Sequence, residues 1–517
     1  MKPTMELSTT DASENGVDHS ATELLDVERL TNALSADWLE QHGVMPLRLH
    51  NGTLEVGTWF ERIDPLALDD LRLLFGADVD IEHFMEHDLR SAIRRVYAED
   101  ETTASGLIAG LAGEGRAKTA DEIPLDDLVH LANEAPIVKL VNFLLIEALD
   151  QRASDVHLEG YESKLRVRYR IDGVLQDAAS PPPHLTPAIV SRIKIMAELD
   201  IAERRLPQDG RIRLRLQNRG VDVRVSTVPT LGGESVVLRL LDKDRGQITL
   251  SDLGMADDTL AIYSEIISRP NGIVLVTGPT GSGKSTTLYS SVELIRTGKE
   301  KIITVEDPVE YELAGVPQVP VNEKVGLTFA GALRSLMRQD PDVILLGEIR
   351  DPETAQIAVQ ASLTGHLVLS TLHTNDAPTA IPRLLDLDVP AYLVASTLEA
   401  VLAQRLVRRI CPKCKEPAHP DKAMRARLDI ESNDLENVFK GKGCDYCRHT
   451  GYRGRTSIHE LLPIDNAIRL EIQRKRGSDE IRTMGVERGM RILQQDGFRL
   501  VRAGVTTLEE VARVARA

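Results

Sequence analysis

Residues 278–286 read Gly-Pro-Thr-Gly-Ser-Gly-Lys-Ser-Thr, a complete G-x-x-x-x-G-K-[ST] loop. The apolar run Ile273-Val274-Leu275-Val276 precedes it, and a helix is predicted from Thr286 to Arg296. Strand, glycine-rich loop and helix in that order place the loop at the end of a strand in an α/β sheet. Gly281 and Gly283 let the backbone fold close around phosphates with its N–H groups pointing inward. Lys284 brings a positive charge to the β- and γ-phosphates, the Ser285 hydroxyl can ligate Mg²⁺, and the helix N-terminus adds a favourable dipole. Gly278, Pro279, Thr280, Gly281, Ser282, Gly283, Lys284, Ser285 and Thr286 are therefore expected to bind ATP.

The chain has 517 residues, too many for one core, and three or four domains are expected. A net charge of −17 argues against a general nucleic-acid binder, though not against a local basic patch. No apolar run approaches the roughly 18–20 residues that span a bilayer. The best candidate, Ala135 to Leu149, is interrupted by Lys139, Asn142 and Glu147. The start of the sequence is polar and acidic, unlike a signal peptide, so a cytoplasmic location is expected.

Composition shifts divide the chain. Residues 1–35 read as a mobile tail and 99–124 as a flexible linker. Between them, 36–98 reads as a small α/β domain with a hairpin around Asn51-Gly52. A middle α/β domain is expected over 125–245. There Ile137, Leu140, Val141, Leu144, Leu145 and Ala148 recur at helical spacing, and Leu165, Val167, Tyr169 and Ile171 alternate with Arg166, Arg168 and Arg170. Residues 250–400 alternate short apolar runs with helices, as a parallel sheet requires. The remainder divides into a cysteine-bearing module, 401–460, and a helical region, 461–517, whose last helix carries a capping box at Thr506 and Glu509.

A nucleotide hydrolase also needs an acid near Mg²⁺, a group that aligns water, and cations for developing charge. Val343-Ile-Leu-Leu-Gly-Glu-Ile-Arg-Asp351 resembles a Walker B strand, with Gly347 where an Asp is common and Glu348 as the nearest acid. Thr304-Val-Glu-Asp-Pro-Val-Glu310 offers Glu306 as general base, with Asp307 and Glu310 beside it. His373 closes a strand in a polar Thr371/Thr374/Asn375 setting that suits a γ-phosphate sensor, whereas His366 reads as structural. Arg211 and Arg224, from the preceding domain, are candidates to close over the phosphates by domain rotation. Arg334, Arg338 and Arg350 are weaker candidates for subunit-interface contacts.

All four cysteines fall in two C-x-x-C pairs, Cys411/Cys414 and Cys444/Cys447. That spacing signals structural Zn²⁺, with four thiolates closing the shell. Arg405, Arg408, Arg409, Lys413, Lys415, Arg448, Arg453 and Arg455 surround them. The readings for this basic set are a solvated face or a contact with anionic lipid or an acidic partner; direct nucleic-acid binding is not expected.

Taken together, the chain resembles a secretion ATPase of the type II/type IV pilus superfamily, of the general secretion pathway protein E class. The resemblance covers about residues 120–517. It rests on Ala153-Ser-Asp-Val-His-Leu-Glu159, Arg205-Leu-Pro-Gln-Asp-Gly-Arg211, the phosphate loop, the runs around Glu306 and Glu348, Ser370-Thr-Leu-His-Thr-Asn375 and the four cysteines. It implies a PAS-like middle domain, a RecA-like P-loop ATPase core and a tetracysteine zinc module. It also implies a hexameric ring, Arg211 and Arg224 as the middle-domain arginines, Glu306 as base and Glu348 tied to Mg²⁺. The N-terminal domain is expected to dock on an inner-membrane assembly-platform protein of a type II system, leaving the chain peripherally associated with that membrane. The alternatives are a type IV pilus assembly ATPase and a DNA-uptake or conjugation-type motor.

Overall fold

The structure, a computed structural model, describes residues 34, 36–50, 52–60, 63–86, 89, 124–161, 164–216, 219–242, 248–420, 422–428 and 438–515. Apart from Leu34 and Pro124, the expected tail at 1–35 and linker at 99–124 lie outside these residues. The chain divides into two compact units.

In the first unit, helix α1 (Ala36–His42) leads into β1 (Val44–His50) and β2 (Thr53–Thr58), an antiparallel pair turning at Gly52. Helix α2 (Pro65–Phe75) then delivers β3 (Asp78–His83) parallel to β2. Its start is set by Asp64, which accepts from the Leu66 N–H at 3.0 Å, and by Pro65 in the first turn. Leu39, Val44, Leu54, Val56 and Leu71 are its fully buried centre.

Helices α3 (Leu125–Ala132) and α4 (Ala135–Asp150) precede β4 (Ala153–Tyr161), β5 (Lys164–Ile171) and β6 (Val174–Ala179). After α5 (Thr186–Met196) come β7 (Gln208–Leu216), β8 (Arg219–Thr230) and β9 (Gly233–Asp242). The sheet order is β6-β5-β4-β9-β8-β7. The six apolar residues of α4 singled out by their spacing are all buried, as are Leu165, Val167 and Tyr169 on β5. The Tyr169 hydroxyl donates to the Leu144 carbonyl at 3.0 Å and fastens α4 to the sheet. Among the described residues no single helix is long and apolar enough to cross a membrane; α3 and α4 together reach that length only with a 59° bend.

The second unit is built on a sheet ordered β12-β11-β13-β14-β10-β15-β18. Its strands are β10 (Gly272–Thr277), β11 (Ile302–Glu306), β12 (Gln318–Pro320), β13 (Val343–Leu346), β14 (Leu367–Leu372), β15 (Leu398–Ile410) and β18 (Tyr452–Pro463). All pair in parallel except the last, which runs antiparallel to β15. Successive residues of β10 enter opposite cores: Ile273 and Leu275 one, Val274 and Val276 the other. A strand buried on both faces reads as a continuous apolar run, which is why periodicity alone does not separate it from a helix. Helix α6 (Lys284–Ile295) follows β10, starting two residues earlier than expected because it begins directly on the phosphate loop.

Two expectations change. The boundaries placed at 400/401 and 460/461 fall inside β15 and β18, continuous strands hydrogen-bonded to each other, so the cysteine module grows out of the core sheet itself. The final helix (Leu508–Val514) is capped by Thr507, whose Oγ1 accepts from the Glu510 N–H at 3.3 Å. Thr506, expected in that role, instead donates its hydroxyl to the Arg408 carbonyl at 2.8 Å.

Candidate nucleotide site and cysteine centre

The loop 278–283 emerges from a fully buried strand and enters α6 at Gly283, whose φ is 90°. A Cβ there would stand 2.8 Å from Gln404 Nε2, so glycine is required by both conformation and space. Gln404, on β15, is buried and holds the loop from below. Its Nε2 donates to the Ser282 carbonyl at 2.9 Å, and its Oε1 accepts from the Thr287 hydroxyl at 2.6 Å. Lys284 Nζ donates to the carbonyls of Gly278 (2.9 Å) and Pro279 (3.2 Å). Burial lowers the pKa of Lys284; the charge of Glu348 opposes that and Arg405 adds to it, so both groups lie within electrostatic reach of the lysine. Ser285 is exposed at the first turn of α6, open to a metal ion.

Side-chain bonds tie the neighbouring strand ends to this loop. The Thr277 hydroxyl at the end of β10 lies 2.7 Å from that of Thr374 and accepts from the Thr374 N–H at 2.9 Å, which brings the segment after β14 alongside. Thr371 donates to the Gly347 carbonyl at 2.7 Å, tying β14 to the end of β13. Glu348 then meets His373, Oε2 to Nε2, at 3.3 Å and Arg350 at 2.5 Å. His366 lies at the opposite end of β14, its Nδ1 2.8 Å from the Ala361 carbonyl, a structural placement.

Glu306 ends β11 and is buried. Its Oε1 accepts from the Thr304 hydroxyl (2.6 Å) and Gln318 Nε2 (3.1 Å); its Oε2 accepts from the Tyr289 hydroxyl. Arg211 is exposed and Arg224 half-buried, and both line one open cavity of about 380 Å³ with Asp209 and Arg239. Arg239 escaped the sequence reading because it sits in an unmarked apolar strand, Val236 to Leu240; its Nε donates to Asp155 at 2.9 Å. Arg334 pairs with Glu353, and Arg338 donates to the Arg334 carbonyl at 3.1 Å, so both have partners within the chain.

Gln404 and Arg405 were also missed as site residues. The signal was there: an amide and a guanidinium interrupt the apolar strand 401–407. Arg405, counted by sequence with the basic surroundings of the cysteines, instead donates to the Asn375 carbonyl and Oδ1 at 3.1 and 3.0 Å, in the segment beside His373. Arg408 is likewise occupied, by Glu510 at 2.6 Å.

The four cysteine sulfurs lie within 4.8 Å of one another, with close pairs at 3.7, 3.8 and 3.9 Å. A tetrahedron of thiolates about 2.3 Å from zinc has edges of about 3.8 Å, so the donor set fits that ion. Backbone N–H groups of Gly443, Cys444 and Gly451 point at the sulfurs of Cys414 and Cys447 at 3.2–3.3 Å, as thiolates require. Between β16 (Lys415–Ala418) and β18, β17 (Val438–Gly441) brings Gly441 against Gly451 so closely that a Cβ would stand 1.9 Å from the Gly451 carbonyl oxygen. Lys413 and Arg453 lie over the Tyr446 ring, 4.2 and 4.0 Å from its centroid.

Comparison with known proteins agrees with this arrangement. The family model for "Type II/IV secretion system protein" matches residues 130–513, and the "MshEN domain" model matches 19–103. Type II secretion system protein E of Pseudomonas aeruginosa is 47% identical over 457 residues, 88% of this chain and 91% of that protein. The type IV pilus assembly ATPase PilB of Myxococcus xanthus is 44% identical, covering 91% of this chain and 84% of the relative. The solved structure of the pilus retraction motor PilT with bound ADP aligns at a TM-score of 0.51 and 27% identity, over 73% of this chain and 97% of that one.

Proposed function

Because the chain belongs to the type II/IV secretion system protein family, we propose that it is the ATPase of a type II secretion system, hydrolysing ATP to ADP and phosphate to drive pseudopilus assembly and protein export. The observation that carries this reading is the convergence of the Lys284 loop, Glu348 and His373 at one end of a RecA-like sheet.

In this reading the N–H groups of the loop and Lys284 bind the phosphates, and His373 contacts the terminal one. Ser285 would hold Mg²⁺, with Glu348 reaching it through water; the ion would supply charge neutralisation on the phosphates. Glu306 accepts the proton of the attacking water. Arg211 and Arg224 close over the phosphates when the middle domain rotates, which couples turnover to motion.

The working form is a ring of six, with ATP near subunit boundaries. Residues 36–98 dock on an inner-membrane platform protein and hold the chain at the cytoplasmic face of that membrane. Zn²⁺ on the four cysteines completes the module that grows from β15, and anionic lipid contacts Lys413 and Arg453. A second reading, the type IV pilus assembly ATPase, is favoured by the 44% identity to PilB. Lys284→Ala tests the motor: ATP turnover and export are both expected to cease, and export retained without turnover sinks it. A pull-down with residues 1–100 separates the two pathways by the platform protein recovered.

A further inference from the structure

The buried surroundings of Glu306 contain a residue that motif comparison leaves aside. Tyr289 lies in the second turn of the helix that begins at Lys284, and it is 1% exposed. Its hydroxyl donates to Glu306 Oε2 and accepts from the Glu310 N–H at 3.3 Å. The edge of its ring meets the Tyr311 ring, with centroids 4.5 Å apart and planes at 79°. Burial first, and then the charge of Glu306, push the Tyr289 hydroxyl above its ordinary pKa, so it stays protonated and remains a donor.

An ionised carboxylate has about four acceptor positions. In Glu306 two on Oε1 are taken by Thr304 and Gln318, and one on Oε2 by Tyr289. The remaining position is on Oε2, and its direction is fixed by the bond from Tyr289. Gln318 adds rigidity from the other side. Its Oε1 accepts from the Leu313 N–H at 2.7 Å and its Nε2 donates to the Tyr311 carbonyl at 3.2 Å, stitching the loop after Glu306 back to the sheet.

We propose that Tyr289 is a positioning residue for hydrolysis: its hydroxyl orients Glu306 so that the last acceptor position on Oε2 faces the attacking water, and it ties that orientation to the phosphate-binding helix. The proposal rests on the reading of Glu306 as proton acceptor. Tyr289 is buried and bonded to Glu306, so it acts through the carboxylate. A shift of the helix that carries Lys284 is thereby a shift of the base.

The test uses the full-length protein and steady-state ATP hydrolysis. Tyr289→Phe keeps the ring contact with Tyr311 and removes only the hydroxyl. Its kcat is expected to fall about tenfold or more while KM for ATP stays within twofold. In a Glu306→Gln background the same change is expected to alter residual turnover by less than twofold, because there is no base left to orient. Should Tyr289→Phe not fold, Thr304→Val removes a donor from the other oxygen and is expected to give the same split. Unchanged kcat, a parallel loss in kcat and KM, or a full additional loss in the Glu306→Gln background overturns the proposal. Near-normal turnover by Glu306→Gln alone instead overturns the underlying reading of Glu306, whatever Tyr289 does.

Discussion

Glu348 Oε2 lies 3.3 Å from His373 Nε2, joining the ends of two adjacent strands, and the charge of Glu348 acts on Lys284. The contact sets an acid and an imidazole side by side with Arg350 on the other carboxylate oxygen. Replacing Glu348 by Gln keeps the shape and removes the charge. Turnover is expected to fall about 10–100-fold, the range for loss of an outer-shell partner of a metal ion, with ATP affinity nearly unchanged. Equilibrium binding alongside single-turnover hydrolysis separates the two; tight binding with wild-type turnover excludes the role.

Gln404 is the next test. It bonds to both the loop and the first turn of α6 from a site with no access to solvent. Gln404→Leu leaves the Ser282 carbonyl and the Thr287 hydroxyl unsatisfied, at a cost of about 1–3 kcal/mol for each buried group. Part of this falls on the loop's geometry, so ATP affinity is expected to weaken about tenfold. Calorimetric titration with ATP measures it, and an unchanged Kd removes Gln404 from the site.

How much of this was readable beforehand differs by residue. Lys284, Ser285 and the cysteines announce themselves because their chemistry demands a fixed local spacing. Glu306, Glu348 and His373 were nameable as polar punctuation at the ends of apolar runs, but their contacts were not, since strand order is a long-range property. Gln404 sits 120 residues beyond Lys284 and reaches the loop only because β15 pairs with β10. Arg405 was misgrouped for the same reason: its sequence neighbours are basic, and its spatial neighbour is Asn375. Thr507, not Thr506, caps the last helix because a hydroxyl already bonded to β15 is turned away from the helix N-terminus.

The cysteine centre makes a prediction in stability. With sulfurs at 3.7–3.9 Å, one Zn²⁺ per chain is expected by elemental analysis. Chelation, or Cys411→Ser, should lower the melting temperature, because metal binding contributes directly to folding free energy. An unchanged melt in metal-free protein rules out a structural ion.

His459 supplies a pH test away from the nucleotide. It is buried on β18, and among the described residues neither ring nitrogen has a hydrogen-bond partner. Burial holds its pKa down to about 4; the nearby Asp496 opposes that and Arg499 adds to it. Unfolded, the imidazole titrates near 6.5. The unfolded chain therefore takes up a proton that the folded chain refuses, and stability is lost as pH falls from about 6.5 towards 4. The linkage amounts to at most about 3 kcal/mol. Chemical denaturation at pH 7 and pH 4.5 should show a smaller drop for His459→Gln than for the parent protein, and equal drops would exclude the effect.

The strand that carries Gln404 also delivers Cys411, one residue past its end. The seven steps between them span about 23 Å at the rise of an extended strand. Over residues 400–403 the strand is hydrogen-bonded on both edges, to β10 and β18; from Gln404 to Ile410 it pairs, among the described strands, with β18 alone, with a register shift between Arg408 and Ile410. Gln404, bonded to the loop that carries Lys284, and Cys411, one of the four clustered cysteines, are therefore joined by the half of β15 that a single partner strand supports, and a displacement at one end reaches the other through that one pairing.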